Sequence, residues 1–224
     1  SFGPFYKVET GRRDGFVSNK SLANRMPDFR DSIQLLKHKF FEKGLNEKDL
    51  VVLSGTLLSL SLFLSLSLST YIMCMYIKIP CRFSAHTIGT TACFFLMDRL
   101  YNFSPRRGPD PSINQDLLPE LMDTCPPNGD INFRLPIDHN SGETFDIQIL
   151  ENIRNGFAVL QSDAKLMDDP VTKRIVDSYF RVTNQTIKPS FEADFVHSMV
   201  KMGRIGVKTG PKSGEIRRVC NTFN

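Results

Sequence analysis

The sequence feature that most constrains the fold is a stretch without any charged residue, residues 51–77, which begins at Val51 and ends at Ile77. Its length would allow a transmembrane helix. From Ser59 to Ser69, however, leucine and serine nearly alternate, and this period of two is typical of a strand rather than of a helix. An exposed strand of this kind favours aggregation, so the tract of residues 56–84 fits poorly into the sequence on either side of it.

Outside this tract, apolar residues recur at helical spacing and no sheet is expected, which predicts an all-α fold. Ile33, Leu36 and Phe40 place a helix over residues 28–41, and Asn46 can cap a short helix over residues 47–53. Phe191, Phe195 and Met199 share one face of the last helix and are expected in the core. Further helices are predicted over residues 87–101, 115–124, 145–155, 169–184 and 190–201.

Composition narrows the class of protein. A chain of 224 residues with 41% hydrophobic residues can build a substantial core. The net charge is +4 and the basic residues are scattered, so nucleic-acid binding is not expected. The sequence starts at Ser1 without a leader pattern, which we interpret as a mature terminus or a truncation. Three glycosylation sequons fit a secreted protein, in which the five cysteines would leave at least one without an internal partner.

Two groups of residues could bind metals. His86, in Ala-His-Thr-Ile-Gly at residues 85–89, could ligate a metal from one side, although a lone histidine is more often structural. A second group packs two carboxylates and two hydroxyl residues into nine positions, which suits a hard cation such as calcium but also describes an ordinary polar loop. Its members are Asp138, Ser141, Thr144 and Asp146.

Seven motifs then occur in a fixed order. They are Gly-Arg-Arg-Asp-Gly at 11–15, Asp-Leu-Val-Val-Leu-Ser-Gly at 49–55, Ala-His-Thr-Ile-Gly at 85–89, Asp-Arg-Leu-Tyr-Asn-Phe at 98–103, Cys-Pro at 125–126, Gln-Ser-Asp at 161–163 and Met-Val-Lys-Met-Gly at 199–203, followed by Gly-Glu-Ile-Arg-Arg-Val-Cys at 214–220. In this order the chain resembles the plant secretory (class III) haem peroxidases over everything except residues 56–84.

The resemblance assigns roles to individual residues. His86 is similar to the proximal axial ligand of haem b, with Asp163 as the acceptor behind it. Cys93 and Cys125 resemble a family disulfide, and Pro27 aligns with a proline at the entrance for the reducing substrate, although it could also be a helix N1 proline. The calcium site implied by the resemblance consists of Thr87, Asp138, Ser141, Thr144 (through its backbone carbonyl) and Asp146.

The family function implied by the resemblance is reduction of hydrogen peroxide with one-electron oxidation of small phenolic donors. This activity serves hydrogen peroxide catabolism and the response to oxidative stress, and the expected protein is a secreted monomer of the cell wall or vacuole. The distal histidine and arginine of the family lie in an Arg-x-x-Phe-His-Asp-Cys motif, which these residues lack. We therefore expect no catalytic activity from this chain, because peroxide cleavage needs both groups.

The resemblance divides the chain into three parts: a distal or central remnant at residues 1–55, the Leu/Ser tract at 56–84, and a proximal haem-peroxidase domain at 85–224. We interpret the tract as a translated intron, a hypothesis that fails if mature transcripts always encode it. Two alternatives stay open: a non-catalytic haem-binding remnant, and a membrane-anchored protein that uses residues 51–77. Cys220 is expected to be unpaired, and Cys74 and Cys81 have no assigned role.

Overall fold

The computed structural model of the chain describes residues 3–17, 25–54, 86–103, 108–181, 190–219 and 222. The Leu/Ser tract lies outside these residues, as do Cys74, Cys81 and Cys220. The predicted, mainly helical fold is confirmed. The α-helices are α1 Ile33–Phe41, α2 Glu47–Leu53, α3 Met97–Tyr101, α4 Leu117–Thr124, α5 Gln148–Asn155, α6 Gln161–Ala164, α7 Pro170–Ser178 and α8 Phe191–Gly203.

Helix α1 begins five residues later than predicted. Ser32 is its N-cap and accepts a hydrogen bond from the Leu35 N–H. Ahead of it, the Asp28 N–H donates to the Asp31 carboxylate and the Arg30 N–H donates to the Asp28 carboxylate. Such local side-chain bonds compete with helical ones, so this segment forms a turn instead. Pro27 therefore does not occupy the N1 position of this helix.

Helix α2 forms as predicted. Asn46 and Asp49 make a reciprocal capping box, in which each side chain accepts a hydrogen bond from the other residue's backbone N–H. Gly44 supplies the stop before it, with a backbone φ of 77° that non-glycine residues rarely adopt.

The helix predicted over residues 87–101 is wrong in its first half. Thr90–Ala92 forms strand β1, which pairs antiparallel with β2, Arg134–Pro136, so that Thr91 faces Leu135. A 3₁₀ turn at Cys93–Phe95 then leads into α3. Gly89 has a φ of 115°, which interrupts any helix there, and the β-branched Thr90 and Thr91 favour the extended backbone.

Two apolar clusters form the core. The larger one joins α1, α2, α5, α7 and α8, and it contains the predicted stripe of Phe191, Phe195 and Met199. The smaller one joins α3, α4 and β2 around the Cys93–Cys125 disulfide, which confirms that predicted pair. Helices from both sides of the Leu/Ser tract therefore share the larger cluster.

The start of the charge-free stretch, which the membrane hypothesis uses as an anchor, is part of the protein core. Val51, Val52 and Leu53, the first residues of the charge-free stretch, are buried in the larger cluster as the end of α2. Within the ranges that the structure describes, none of the helices combines the length and the apolar character needed to cross a bilayer.

Candidate functional site

His86 and Asp163 form a buried pair. The His86 Nδ1 and the Asp163 Oδ2 are 2.7 Å apart, and the two residues are only 2% and 1% exposed. An ionised carboxylate can only accept, so Nδ1 carries the proton and Nε2 keeps a lone pair. Asp163 lies on α6, between Leu160 of the smaller apolar cluster and Ala164 of the larger one.

The other side of the imidazole has no hydrogen-bond partner within the part of the chain that the structure describes. His86 Nε2 is one of three buried side-chain polar atoms that lack a hydrogen bond among the described residues. Leaving a buried polar atom unsatisfied costs about 1–3 kcal/mol, so such atoms call for an explanation. An oriented imidazole whose second nitrogen accepts no hydrogen bond from the described residues fits ligation of haem iron. The pairing predicted from the sequence is therefore geometrically present.

Thr87 connects the histidine to the predicted calcium group. Its hydroxyl donates to the backbone carbonyls of Asp146, at 3.0 Å, and Thr144, at 3.3 Å, and it accepts from the Asp146 N–H at 3.1 Å. The Ser141 hydroxyl donates to the Asp146 carboxylate at 2.5 Å. These bonds link four of the five predicted calcium residues, and the Ser141 N–H donates to the backbone carbonyl of the fifth, Asp138, at 3.3 Å.

Asp138, the fifth, is fully buried. The Asn152 amide donates to its Oδ1 at 2.6 Å, whereas its Oδ2 lacks a partner among the described residues. Burial raises the pKa of Asp138 to about 7, and the negative charges of Asp146 and Asp163 add to the effect, against the opposing hydrogen bond from Asn152. The carboxylates of Asp146 and Asp163 therefore lie close enough to repel that of Asp138, and a cation would relieve this repulsion.

The chemistry of this oxygen set limits the metals it suits. Among the residues that the structure describes, no group of three or more His, Cys, Asp or Glu side chains is placed to hold a metal. The predicted set contains two carboxylates, Asp138 and Asp146, and depends on hydroxyl and carbonyl oxygens for the rest. Calcium accepts such mixed oxygen ligands.

Pro27 is half-buried in the segment ahead of α1. Two positions further on, the Phe29 ring meets the Phe95 ring edge-on, with the centroids 5.0 Å apart. The predicted role of Pro27 at the donor entrance stays a prediction.

Comparison with known proteins agrees with this geometry. A family profile described as Peroxidase matches residues 1–181. The chain belongs to the peroxidase family, in its plant (class III) branch. Across 222 aligned residues, which are 99% of this chain, it is 55% identical to Peroxidase 43 of Arabidopsis thaliana. The same length is 45% identical to Peroxidase 13 of Arabidopsis thaliana and 40% identical to Peroxidase N1 of Nicotiana tabacum. The chain spans 58–59% of the length of these three relatives.

Asn152 is a residue of this candidate site that sequence reasoning missed. It is buried on α5 and its amide donates both to Asp138 and to the His139 carbonyl, at 2.8 Å for the latter. Its neighbours Ile149 and Ile153 belong to the buried face of the same helix. The sequence signal that could have revealed Asn152 is a polar residue at a position where the helical pattern calls for an apolar one.

Proposed function

We propose that this chain supplies the proximal, haem-ligating part of a haem peroxidase, with His86 as the axial ligand of haem b. The observation that carries the proposal is the buried His86 Nε2, which has no partner among the described residues while Nδ1 is held by Asp163. A structural histidine buried to this degree would be expected to use both ring nitrogens.

In this proposal the chain's own residues orient the ligand. Asp163 accepts the Nδ1–H, which fixes the tautomer and the ring plane. The Nε2 lone pair would then be available to hold the haem iron. The haem, when bound, would supply the redox chemistry that reduces hydrogen peroxide and oxidises phenolic donors.

A bound calcium ion would stabilise the segment that contains His86. Thr87 follows His86 directly, and its hydroxyl is tied to the backbone of Thr144 and Asp146. A cation bound by Thr87, Asp138, Ser141, Thr144 and Asp146 would offset the charge of the buried carboxylates. It would also fix the chain next to the axial histidine.

This proposal also includes secretion and a monomeric state. It keeps the predicted division of the chain into residues 1–55, 56–84 and 85–224. The family relationship and the disulfide both fit secretion, because disulfides persist in oxidising compartments.

A second candidate is haem binding without peroxidase turnover. The observation in its favour is that none of the four histidines precedes an Asp-Cys pair, so these 224 residues lack the family's distal motif. A general acid–base histidine and a charge-stabilising arginine are expected to speed peroxide cleavage greatly.

The test is a hemin titration of residues 1–224 followed by the Soret band. We expect a histidine-ligated spectrum that is lost in His86→Gly and restored by added imidazole, whereas His38→Ala, an exposed control, keeps it. An unchanged spectrum in His86→Gly would refute the assignment. With hydrogen peroxide and guaiacol, we expect turnover no higher than that of free hemin, and robust turnover would eliminate the second candidate.

A further inference from the structure

Two side-chain amides, the amide pair (Gln148 and Asn152), connect the two carboxylates of the proposed calcium site. Asp146 lies just ahead of α5, and its Oδ1 accepts from the Gln148 N–H at 2.8 Å. The Gln148 Nε2 donates to the Asn152 Oδ1 at 3.2 Å, and the Asn152 Nδ2 donates to the Asp138 Oδ1 at 2.6 Å. Two residues one turn apart on the same helix thus link Asp146 to Asp138.

The orientation of the Asn152 amide is determined by its partners. Its Nδ2 has two hydrogens, and it donates to the Asp138 carboxylate and, at 2.8 Å, to the His139 backbone carbonyl. A carbonyl and an ionised carboxylate can only accept, so the nitrogen of the amide must face them. The amide oxygen of Asn152 consequently faces Gln148, which supplies the donor that this oxygen needs.

Gln148 supports this orientation from the outer side of the helix. Asn152 is buried, whereas Gln148 is half-buried. A donor at position 148 stabilises the arrangement in which the Asn152 nitrogen faces Asp138. An acceptor at position 148 would repel the Asn152 oxygen instead, because two acceptors cannot share a hydrogen bond. The donor character of residue 148 therefore affects how firmly Asn152 holds Asp138.

Asn152 engages one carboxylate oxygen of Asp138 and leaves the other one available. Oδ1 accepts from the amide, while Oδ2 is buried without a hydrogen-bond partner among the described residues. A hydrogen bond to Oδ1 restricts rotation of the carboxylate, so that Oδ2 is the oxygen left for a cation. Calcium accepts carboxylates that bind through a single oxygen.

Helix α5 itself does not depend on the amide pair. Ile149, Leu150 and Ile153 are buried in the larger apolar cluster. Gly156 ends the helix with a left-handed backbone, at a φ of 80°. Because these contacts hold the helix, the loss of one half-buried hydrogen bond at Gln148 is expected to leave the fold intact.

We propose that the amide pair positions Asp138 for calcium: Gln148 orients Asn152, and Asn152 holds Asp138 with its Oδ2 free for the ion. This inference rests on the calcium site of the proposed function and adds two positioning residues to it. Residues that orient a metal ligand typically change the metal affinity about 10–100-fold when they are replaced.

The test compares the calcium affinities of Gln148→Glu and Gln148→Lys by isothermal titration calorimetry of the calcium-depleted chain, at about 300 mM salt to screen exposed charges. Glutamate can only accept, whereas lysine can donate to the Asn152 oxygen as glutamine does. We expect Gln148→Glu to weaken calcium binding about fivefold and Gln148→Lys to keep it within about twofold. Attraction between charges predicts the reverse order, because glutamate adds a negative charge and lysine a positive one.

Two further variants complete the test. Asn155→Asp is the matched control, because it adds a negative charge at an exposed position of the same helix, and the affinity should stay within about twofold of the native value. Asn152→Leu removes both donors of the amide, and we expect the calcium affinity to fall about 10–100-fold. Circular dichroism checks that each variant folds, and the two Gln148 variants decide the question if Asn152→Leu does not.

The other outcomes separate this inference from the calcium site itself. If Gln148→Lys bound calcium more weakly than Gln148→Glu, charge rather than orientation would govern the affinity, and the inference would be overturned while the site remained. Equal affinities in the native chain and both Gln148 variants, or equal weakening in Gln148→Glu and Asn155→Asp, would overturn it in the same way. Absence of calcium binding by the native chain would instead remove the proposed site, and the inference with it.

Discussion

Two buried polar clusters in this molecule look alike in the sequence but differ in whether their polar atoms have hydrogen-bond partners. Around Arg99, the guanidinium donates to the Asp110 carboxylate at 2.7 Å, to the Ser112 hydroxyl at 3.2 Å and to the carbonyls of Ala158 and Val159. The other Asp110 oxygen accepts from the Ser112 N–H and hydroxyl. Around His86, in contrast, His86 Nε2, Asp163 Oδ1 and Asp138 Oδ2 have no partner among the described residues.

The pKa values of the two carboxylates follow this difference. Burial acts to raise the pKa of Asp110, but the hydrogen bonds from Arg99 and Ser112 outweigh it and hold the pKa below its ordinary value. Burial raises the pKa of Asp138 to about 7 instead, because repulsion from Asp146 and Asp163 adds to it. Removing one partner from the satisfied Arg99 cluster is therefore expected to be costly, whereas the unsatisfied cluster around His86 costs stability until a ligand binds.

The largest expected effect is at Arg99. Arg99→Met leaves the Asp110 charge buried without its partner, and we expect the free energy of unfolding to fall by about 3–5 kcal/mol. Urea unfolding followed by circular dichroism measures it. Arg174→Met, an exposed helical arginine in α7, is the matched control and should change stability by less than about 0.5 kcal/mol. Similar losses in both variants would contradict a structural role for the Arg99 cluster.

A smaller effect is expected at Asp49, which joins α2 to α8. Its carboxylate accepts from the Ser198 hydroxyl at 2.7 Å, from the Asn46 N–H at 2.8 Å and from the Lys201 ammonium. Burial opposes ionisation, but these bonds hold the pKa of Asp49 below its ordinary value. Asp49→Asn should lower the free energy of unfolding by about 1–3 kcal/mol at pH 7.

The sign of the pH dependence follows from the lowered pKa. The stabilisation by Asp49 is fully present above the pKa of the unfolded chain, about 3.9, and is lost as the pH falls through the lower folded value. The stability gap between the native chain and Asp49→Asn should therefore be constant from about pH 5 to 8 and shrink below about pH 4. A gap that stays constant down to pH 2 would show that the carboxylate charge is not responsible.

Local sequence signals predicted the features that depend on neighbouring residues. The Asn46 cap and the stripe of Phe191, Phe195 and Met199 need only residues within one helix, and both are confirmed. Strand β1 was missed because its partner strand β2 lies more than 40 positions away in the chain, where Pro136 pairs with Thr90. The turn ahead of α1 was missed because side-chain bonds of Asp28 and Asp31 replace helical ones.

The candidate site shows the same division. The family resemblance named His86 and Asp163, and the structure brings them together. The resemblance gave no role to Asn152, which matters because it contacts Asp138 across a turn. The pairing of Asp14 with Glu215 was missed for a nonlocal reason as well, since the two residues lie far apart in the sequence.

The smallest expected effect on stability is the most informative for the comparison. Asp138→Asn removes a buried charge that has one unsatisfied oxygen and two acidic neighbours, and the new amide can still accept from Asn152. Without calcium, we expect the free energy of unfolding at pH 8 to stay within about 1 kcal/mol of the native value or to rise. Added calcium should raise the melting temperature of the native chain but not that of the variant. If Asp138→Asn instead lost as much unfolding free energy as Arg99→Met and were still stabilised by calcium, Asp138 would have a structural role only. It would then not belong to the proposed calcium site.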